Sequence, residues 1–215
     1  MKYTPGMINP PNDNQPKLRS LPDEAATLLH RLHAPPRLVA HLRLVHDVAV
    51  QLVDTLSQEY RALPLQADAI RFGAATHDIG KIMHPAELAG PGHQHEADGE
   101  TLLLHQGVAS HLARFARTHA AWRQHPETPL EDLLVALADT CWKGKRDTEL
   151  EQRIVTHITE ACGRDYWDVF LRLDDLVEQI AAEAETRLAW QAQFPVAGAD
   201  RHRGRAYFLG NLSST

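Results

Sequence analysis

Along most of this chain apolar residues recur three and four positions apart, the period of a helix that buries one face. No alternating apolar and polar run is long enough for a strand, and there is no internal repeat. The pattern predicts an all-α protein. Pro22 to Leu32 reads as a short amphipathic helix ended by Pro35-Pro36, and Pro36 suits the first turn of a long helix running to about Tyr60. Gln66 to Ile79 is the third helix, stopped at Gly80. Lys81 to Gln94 carries Pro85, Gly90, Pro91 and Gly92 and reads as a loop with one turn. Glu96 to Gln106 and Val108 to Ala121 are two helices joined near Gly107. Pro129 to about Trp142 is apolar almost all round, which makes it central. Asp147 to Ala161 and Tyr166 to Gln193 close the domain. Residues 1–20, rich in Pro, Asn and Gln, form an extended arm, and residues 194–215 a tail with Arg201, Arg203 and Arg205. One compact domain over 21–193 is expected.

Composition narrows the function classes. The 215 residues suffice for one well-buried domain, with ordinary hydrophobic (43%) and charged (23%) fractions. A formal net charge of -6 argues against a nucleic-acid coat, and three arginines in a polar tail do not reverse that. Cys141 and Cys162 are the two cysteines, with no Cys-x-x-Cys pair, which excludes a thiolate zinc site and fits a reducing compartment. The polar start lacks a signal-peptide core, and no stretch approaches the ~20 apolar residues of a membrane span. A cytoplasmic protein without membrane contact is expected. Fourteen histidines are many for this length, and their positions decide the chemistry.

His77-Asp78 closes the small-residue run Ala74-Ala75-Thr76, where an imidazole and a carboxylate can reach together into one crevice. That pair suits a transition-metal ion. On the long helix, Val45, Val48 and Leu52 lie within about 40° of His41, which therefore points inward, whereas His46 is turned about 140° away toward the surface. Val108, Leu112 and Phe115 share a face with His119, so it too is directed inward. His95 stands at the head of the next helix, in a polar setting. Asp139 ends six apolar residues on the most buried helix. Taking a carboxylate out of water costs several kcal/mol unless a cation or donors receive it.

In this order and spacing the chain resembles the HD-domain superfamily of metal-dependent phosphohydrolases. The resemblance rests on His41-x-x-x-Val45-x-x-x-Ala49, on Ala74-Ala75-Thr76-His77-Asp78-Ile79-Gly80-Lys81, on His95-x-x-x-Gly99-x-x-Leu102-Leu103 and on Leu133-Leu134-Val135-Ala136-Leu137-Ala138-Asp139. It covers roughly residues 35–145. It implies a single helical bundle with the metal site at its centre. His41, His77, Asp78 and Asp139 would hold one ion, and His95 and His119 would add ligands for a second with Asp78 bridging. The glycine-tyrosine-proline signature of the cyclic-di-GMP-hydrolysing branch is absent, so the substrate stays open.

Nitrogen and oxygen ligands suit one or two ions of Mn, Fe, Co, Ni or Zn better than Mg. Such an ion lowers the pKa of bound water toward ~7, and the hydroxide would attack phosphorus. The expected substrate is a phosphate ester, of a nucleotide or related small molecule. Asp78 and Lys81 are the catalytic candidates, with Lys81 also holding a phosphate. Lys143, Lys145 and Arg146 are candidates for a phosphate-facing rim, although a basic cluster at a helix C-terminus is favourable without any ligand. Trp142 either stacks a base or packs in the core. A di-iron oxygenase on the same fold and a non-catalytic nucleotide- or partner-binding module with a structural metal are the alternatives. The long helix from Tyr166 offers a homodimer face.

Overall fold

The computed structural model describes residues 15–196; most of the predicted arm and nearly all of the tail, including Arg201, Arg203 and Arg205, lie outside them. The described residues are helical throughout, with no strand. Helix α1 (Asp23–Arg31) follows Pro22, carries Asp23 and Glu24 in its first turn, and buries Ala25, Leu28 and Leu29. Helix α2 (Pro36–Glu59) is the spine, started by a proline whose missing N–H costs nothing at that position. Its 24 residues span about 36 Å.

Helix α3 (Ala67–Thr76) lies along α2. Its small residues allow that approach: a Cβ on Gly73 would meet the Phe115 ring at 2.6 Å. Two 3₁₀ turns, Ile79–Ile82 and Pro85–Leu88, lead to α4 (Gln94–His105). Short α5 (Ser110–Ala113) and α6 (Phe115–Ala121) bring the chain back to α7 (Leu130–Cys141), which inserts between α2, α3, α6 and α8. Helix α8 (Thr148–Cys162) is capped by Asp147, whose carboxylate accepts from the Leu150 N–H, and ends at Gly163 in the left-handed region (φ 61°). Asp165 caps α9 (Tyr166–Ala182) in the same way, and α10 (Ala184–Ala192) completes the bundle.

The core divides in two. One apolar cluster joins α2, α7, α8 and α9 through residues such as Leu52, Leu134, Ile154 and Val177. A smaller one joins α1, the start of α2, α3 and α4 through Leu29, Leu42, Phe72 and Leu103.

Four expectations are corrected. The third helix ends at Thr76 rather than Ile79, and Gly80 is not its cap. Gly80 is glycine because α4 crosses there: a Cβ would lie 2.0 Å from the His95 carbonyl oxygen and 2.8 Å from the Gly99 nitrogen. The segment Val108–Ala121 is interrupted at Arg114, whose side chain turns to the fully buried Asp132 and grips it through both Nε and Nη2. Tyr166–Gln193 breaks at Glu183, and the buried Arg187 guanidinium fills the break by donating to the carbonyls of Ile180 (2.6 Å) and Trp142 (3.2 Å). His46 is buried, not on the surface. Residues 44–50 are buried without interruption, because α3, α7 and α10 all pack on α2 and leave no wet face.

Candidate metal centre

Five chain segments deliver six polar side chains to one point at the seam between the two clusters. His41 comes from the first turns of α2, His77 and Asp78 from the residues after α3, His95 from the start of α4, His119 from the end of α6 and Asp139 from α7. The imidazole Nε2 of His41 lies 3.3 Å from that of His77. His41 Nε2 is 3.0 Å from Asp78 Oδ2 and 3.3 Å from Asp139 Oδ1, and His77 Nε2 is 3.6 Å from each of the same two oxygens. The other oxygen of Asp78, Oδ1, faces the opposite way, 3.0 Å from His95 Nε2 and 3.6 Å from His119 Nε2. One carboxylate thus serves two sides of the cluster.

Hydrogen bonds behind the rings decide what their front atoms can do. A carbonyl oxygen only accepts, so Nδ1 of His77 must donate to Ala74 O (3.0 Å), and Nδ1 of His119 must donate to Ala116 O (3.0 Å). In the neutral rings Nε2 then carries a lone pair, aimed at carboxylate oxygens that also only accept. Acceptors facing acceptors in a buried space are unfavourable without a cation between them. Asp139 Oδ1 is in addition buried and without a hydrogen-bond partner.

The spacing fits an ion as well. Ligand atoms about 2.1 Å from one metal stand about 3.0 Å apart at right angles and about 3.4 Å apart in a tetrahedron. The contacts between 3.0 and 3.6 Å are of that size. His41, His77 and Asp139 form one group of mutually close ligand atoms, and His77, Asp78 and His119 another.

The electrostatics agree with this. Burial alone would raise the Asp78 carboxyl, but His77, His41 and His95 outweigh it and hold the group well below the usual carboxylate range. Asp139 is held low against burial by His41 and His77. Burial, seconded by His77, pushes His119 down to about 4, which keeps it neutral with its lone pair free at physiological pH. His41 and His95 shift the other way: burial lowers them, but Asp139 and Asp78 beside His41, and Asp78 and Glu87 beside His95, outweigh it and raise both. Two ionised carboxylates among imidazoles that release a proton on binding form a donor set suited to divalent transition ions.

The cluster is deeply set but not closed. His41 is 13% exposed at its side chain and Asp139 27%, whereas His77 is fully buried. Lys81 stands at this opening with Nζ 2.5 Å from Asp78 Oδ2, and Lys143 lies 3.9 Å from Asp139 Oδ2. Lys145 is exposed on the segment after α7. Arg146 is not brought to the cluster: its guanidinium is taken up by Glu151 and Asp174, both at 2.6 Å. Trp142 offers no face for a base, being 4% exposed and packed edge-on against His41 at 5.3 Å between ring centres.

Glu87 was missed in the sequence. It sits on the second 3₁₀ turn with Oε2 2.5 Å from His95 Nδ1. Only the folded path of the 81–94 segment brings it there, since nothing in its local pattern separates it from other exposed acids. No helix among the described residues is long and apolar enough to cross a membrane. The sequence matches the family model described as HD domain over residues 38–142, a span that holds all six cluster residues. No curated protein and no solved structure matches the chain.

Proposed function

Residues 38–142 belong to the HD-domain family of metal-dependent phosphohydrolases, and from that premise we propose that this protein hydrolyses a phosphate ester of a nucleotide or related small molecule. The observation that carries the reading is the Asp78 carboxylate, with one oxygen turned to His41, His77 and Lys81 and the other to His95 and His119. His41, His77, Asp78 and Asp139 would hold a first divalent ion of the Mn, Fe, Co, Ni or Zn type, and His95 and His119 a second with Asp78 shared. An ion bound there supplies Lewis acidity toward a phosphoryl oxygen and lowers the pKa of water.

The protein's own groups do the rest. Lys81 holds its ammonium beside Asp78 at the open side, where it can receive a non-bridging phosphoryl oxygen and offset charge that grows in the transition state. Lys143 supplies a second positive charge at the same opening, on the Asp139 side. His77, His95 and His119 are buried from bulk water, so charges beside them act in a poorly screened space. Two lysines at the opening favour an anionic substrate over an oxygenase substrate of neutral carbon.

The test is phosphate release by chelator-stripped protein resupplied singly with Mn, Fe, Co, Ni or Zn. The panel would contain nucleoside mono-, di- and triphosphates, cyclic nucleotides and simple phosphate esters. Release that needs the added ion and vanishes in Asp78→Ala supports the reading. No release from any member, with full metal content confirmed by elemental analysis, overturns it.

A further inference from the structure

Among the groups outside the six-residue cluster, Glu87 has the most specific geometry. Its side chain is 9% exposed, although it comes from a short turn at the surface of the bundle. Oε2 receives the Nδ1 proton of His95 at 2.5 Å and lies 3.4 Å from the His95 backbone nitrogen, while Oε1 lies 3.3 Å from the Gln94 nitrogen. The carboxylate is therefore spread over the first turn of α4, where free N–H groups and the helix dipole favour negative charge. A second feature fixes it there. A Cβ on Gly92 would stand 2.3 Å from the Glu87 carboxyl carbon and 2.5 Å from Oε1, so a side chain there would push the carboxylate off its present position.

We propose that Glu87 is a positioning residue for the second ion of the centre: it holds His95 in the tautomer and rotamer that turn the Nε2 lone pair onto the Asp78 Oδ1 side. This rests on the two-ion reading given above. The effect is selective, because Glu87 forms no hydrogen bond or ion pair with His41, His77 or Asp139 and reaches the cluster through His95. Without an acceptor at Nδ1 the His95 ring is free to swing or to carry its proton on Nε2, where it blocks a ligand bond. Outer partners of this kind are worth 10–100-fold in metal affinity.

The test is titration of the chelator-stripped full chain with cobalt(II), read by elemental analysis and by the visible absorption of the bound ion, with melting temperature measured alongside. Native protein should take up two ions. Glu87→Ala should bind the first with unchanged affinity and the second 10–100-fold more weakly, and Gly92→Ala, which displaces the carboxylate without removing it, should fall between. Glu87→Gln, whose amide oxygen can still accept from Nδ1, should recover most of the second-ion affinity. A role confined to capping α4 would lower the melting temperature and leave the second ion untouched. That outcome, or equal affinity for both ions in Glu87→Ala and native protein, overturns the proposal while leaving the phosphohydrolase reading intact. Uptake of a single ion by native protein overturns it too. Uptake of none would sink the metal centre itself.

Discussion

At the residue scale Lys81 stands apart from the six cluster side chains, because its ammonium reaches Asp78 from the open side without being enclosed. Lys81→Ala should keep full metal content and lower kcat about 10²-fold, the usual cost of removing one preorganised charge from a transition state. Steady-state kinetics beside elemental analysis checks this, and unchanged kinetics would return Lys81 to the role of a structural ion pair. His46 behaves differently. Burial pushes it down to about 4, so it is neutral in the fold and its Nδ1 has no partner. Above about pH 6.5 it costs nothing in charge. As pH falls from 6.5 toward 4 the unfolded chain gains a proton that the folded one refuses, and stability drops, by about 3 kcal/mol at most. Denaturant melts at pH 7 and pH 4.5 should therefore show a smaller acid loss in His46→Leu than in the native protein. The inward histidines His41 and His119 were legible from helical spacing. His46 was not, because spacing reports which face is apolar, not whether a neighbouring element covers the other face.

At the element scale the positions of the ligands depend on helix ends more than on helix bodies. Asp78 lies between α3 and a 3₁₀ turn, and His95 in the first turn of α4, so a shift of that junction moves both. Gly80 governs the junction. In Gly80→Ala a methyl would meet backbone, the His95 carbonyl, and backbone cannot swing aside as a side chain can. This variant should lose about 2–4 kcal/mol, in the range of overpacked cores and above it, and should lose the second ion more readily than the first. Thermal melts and cobalt titration of the purified variant would show both effects. The existence and order of the helices could be read from the apolar period. The true end of α3 and the breaks at Arg114 and Glu183 could not, because each is set by a partner distant in sequence: α4 for Gly80, Asp132 for Arg114, and the Trp142 carbonyl for Arg187.

At the scale of the whole molecule, the cluster residues come from positions 41 to 139 and lie on five separate segments. An ion that binds only the folded state adds about 2.7 kcal/mol at a concentration 100 times its dissociation constant. Chelation should therefore lower the melting temperature by several degrees, and resupply of Mn, Co or Zn should restore it. A melting curve indifferent to chelator would mean that no ion contributes to the fold. The likeness to the HD-domain family was legible because its ligands recur as short patterns on separate helices. The outer support of the site, Glu87 above all, was not, because it reaches His95 across a turn rather than along a helix.

The seam between the two apolar clusters has a consequence for how the protein opens. Along that line apolar contact gives way to charge, and without an ion Asp78 and Asp139 have only the imidazoles around them and the ammonium groups of Lys81 and Lys143 as partners. An ion held there would work as a clasp between two halves that are each well packed. Amide hydrogens of α4 and the turn before it, which hang on the clasp, should exchange with solvent deuterium faster once it is undone, while those of α8 and α9, locked within the larger half, keep their pace.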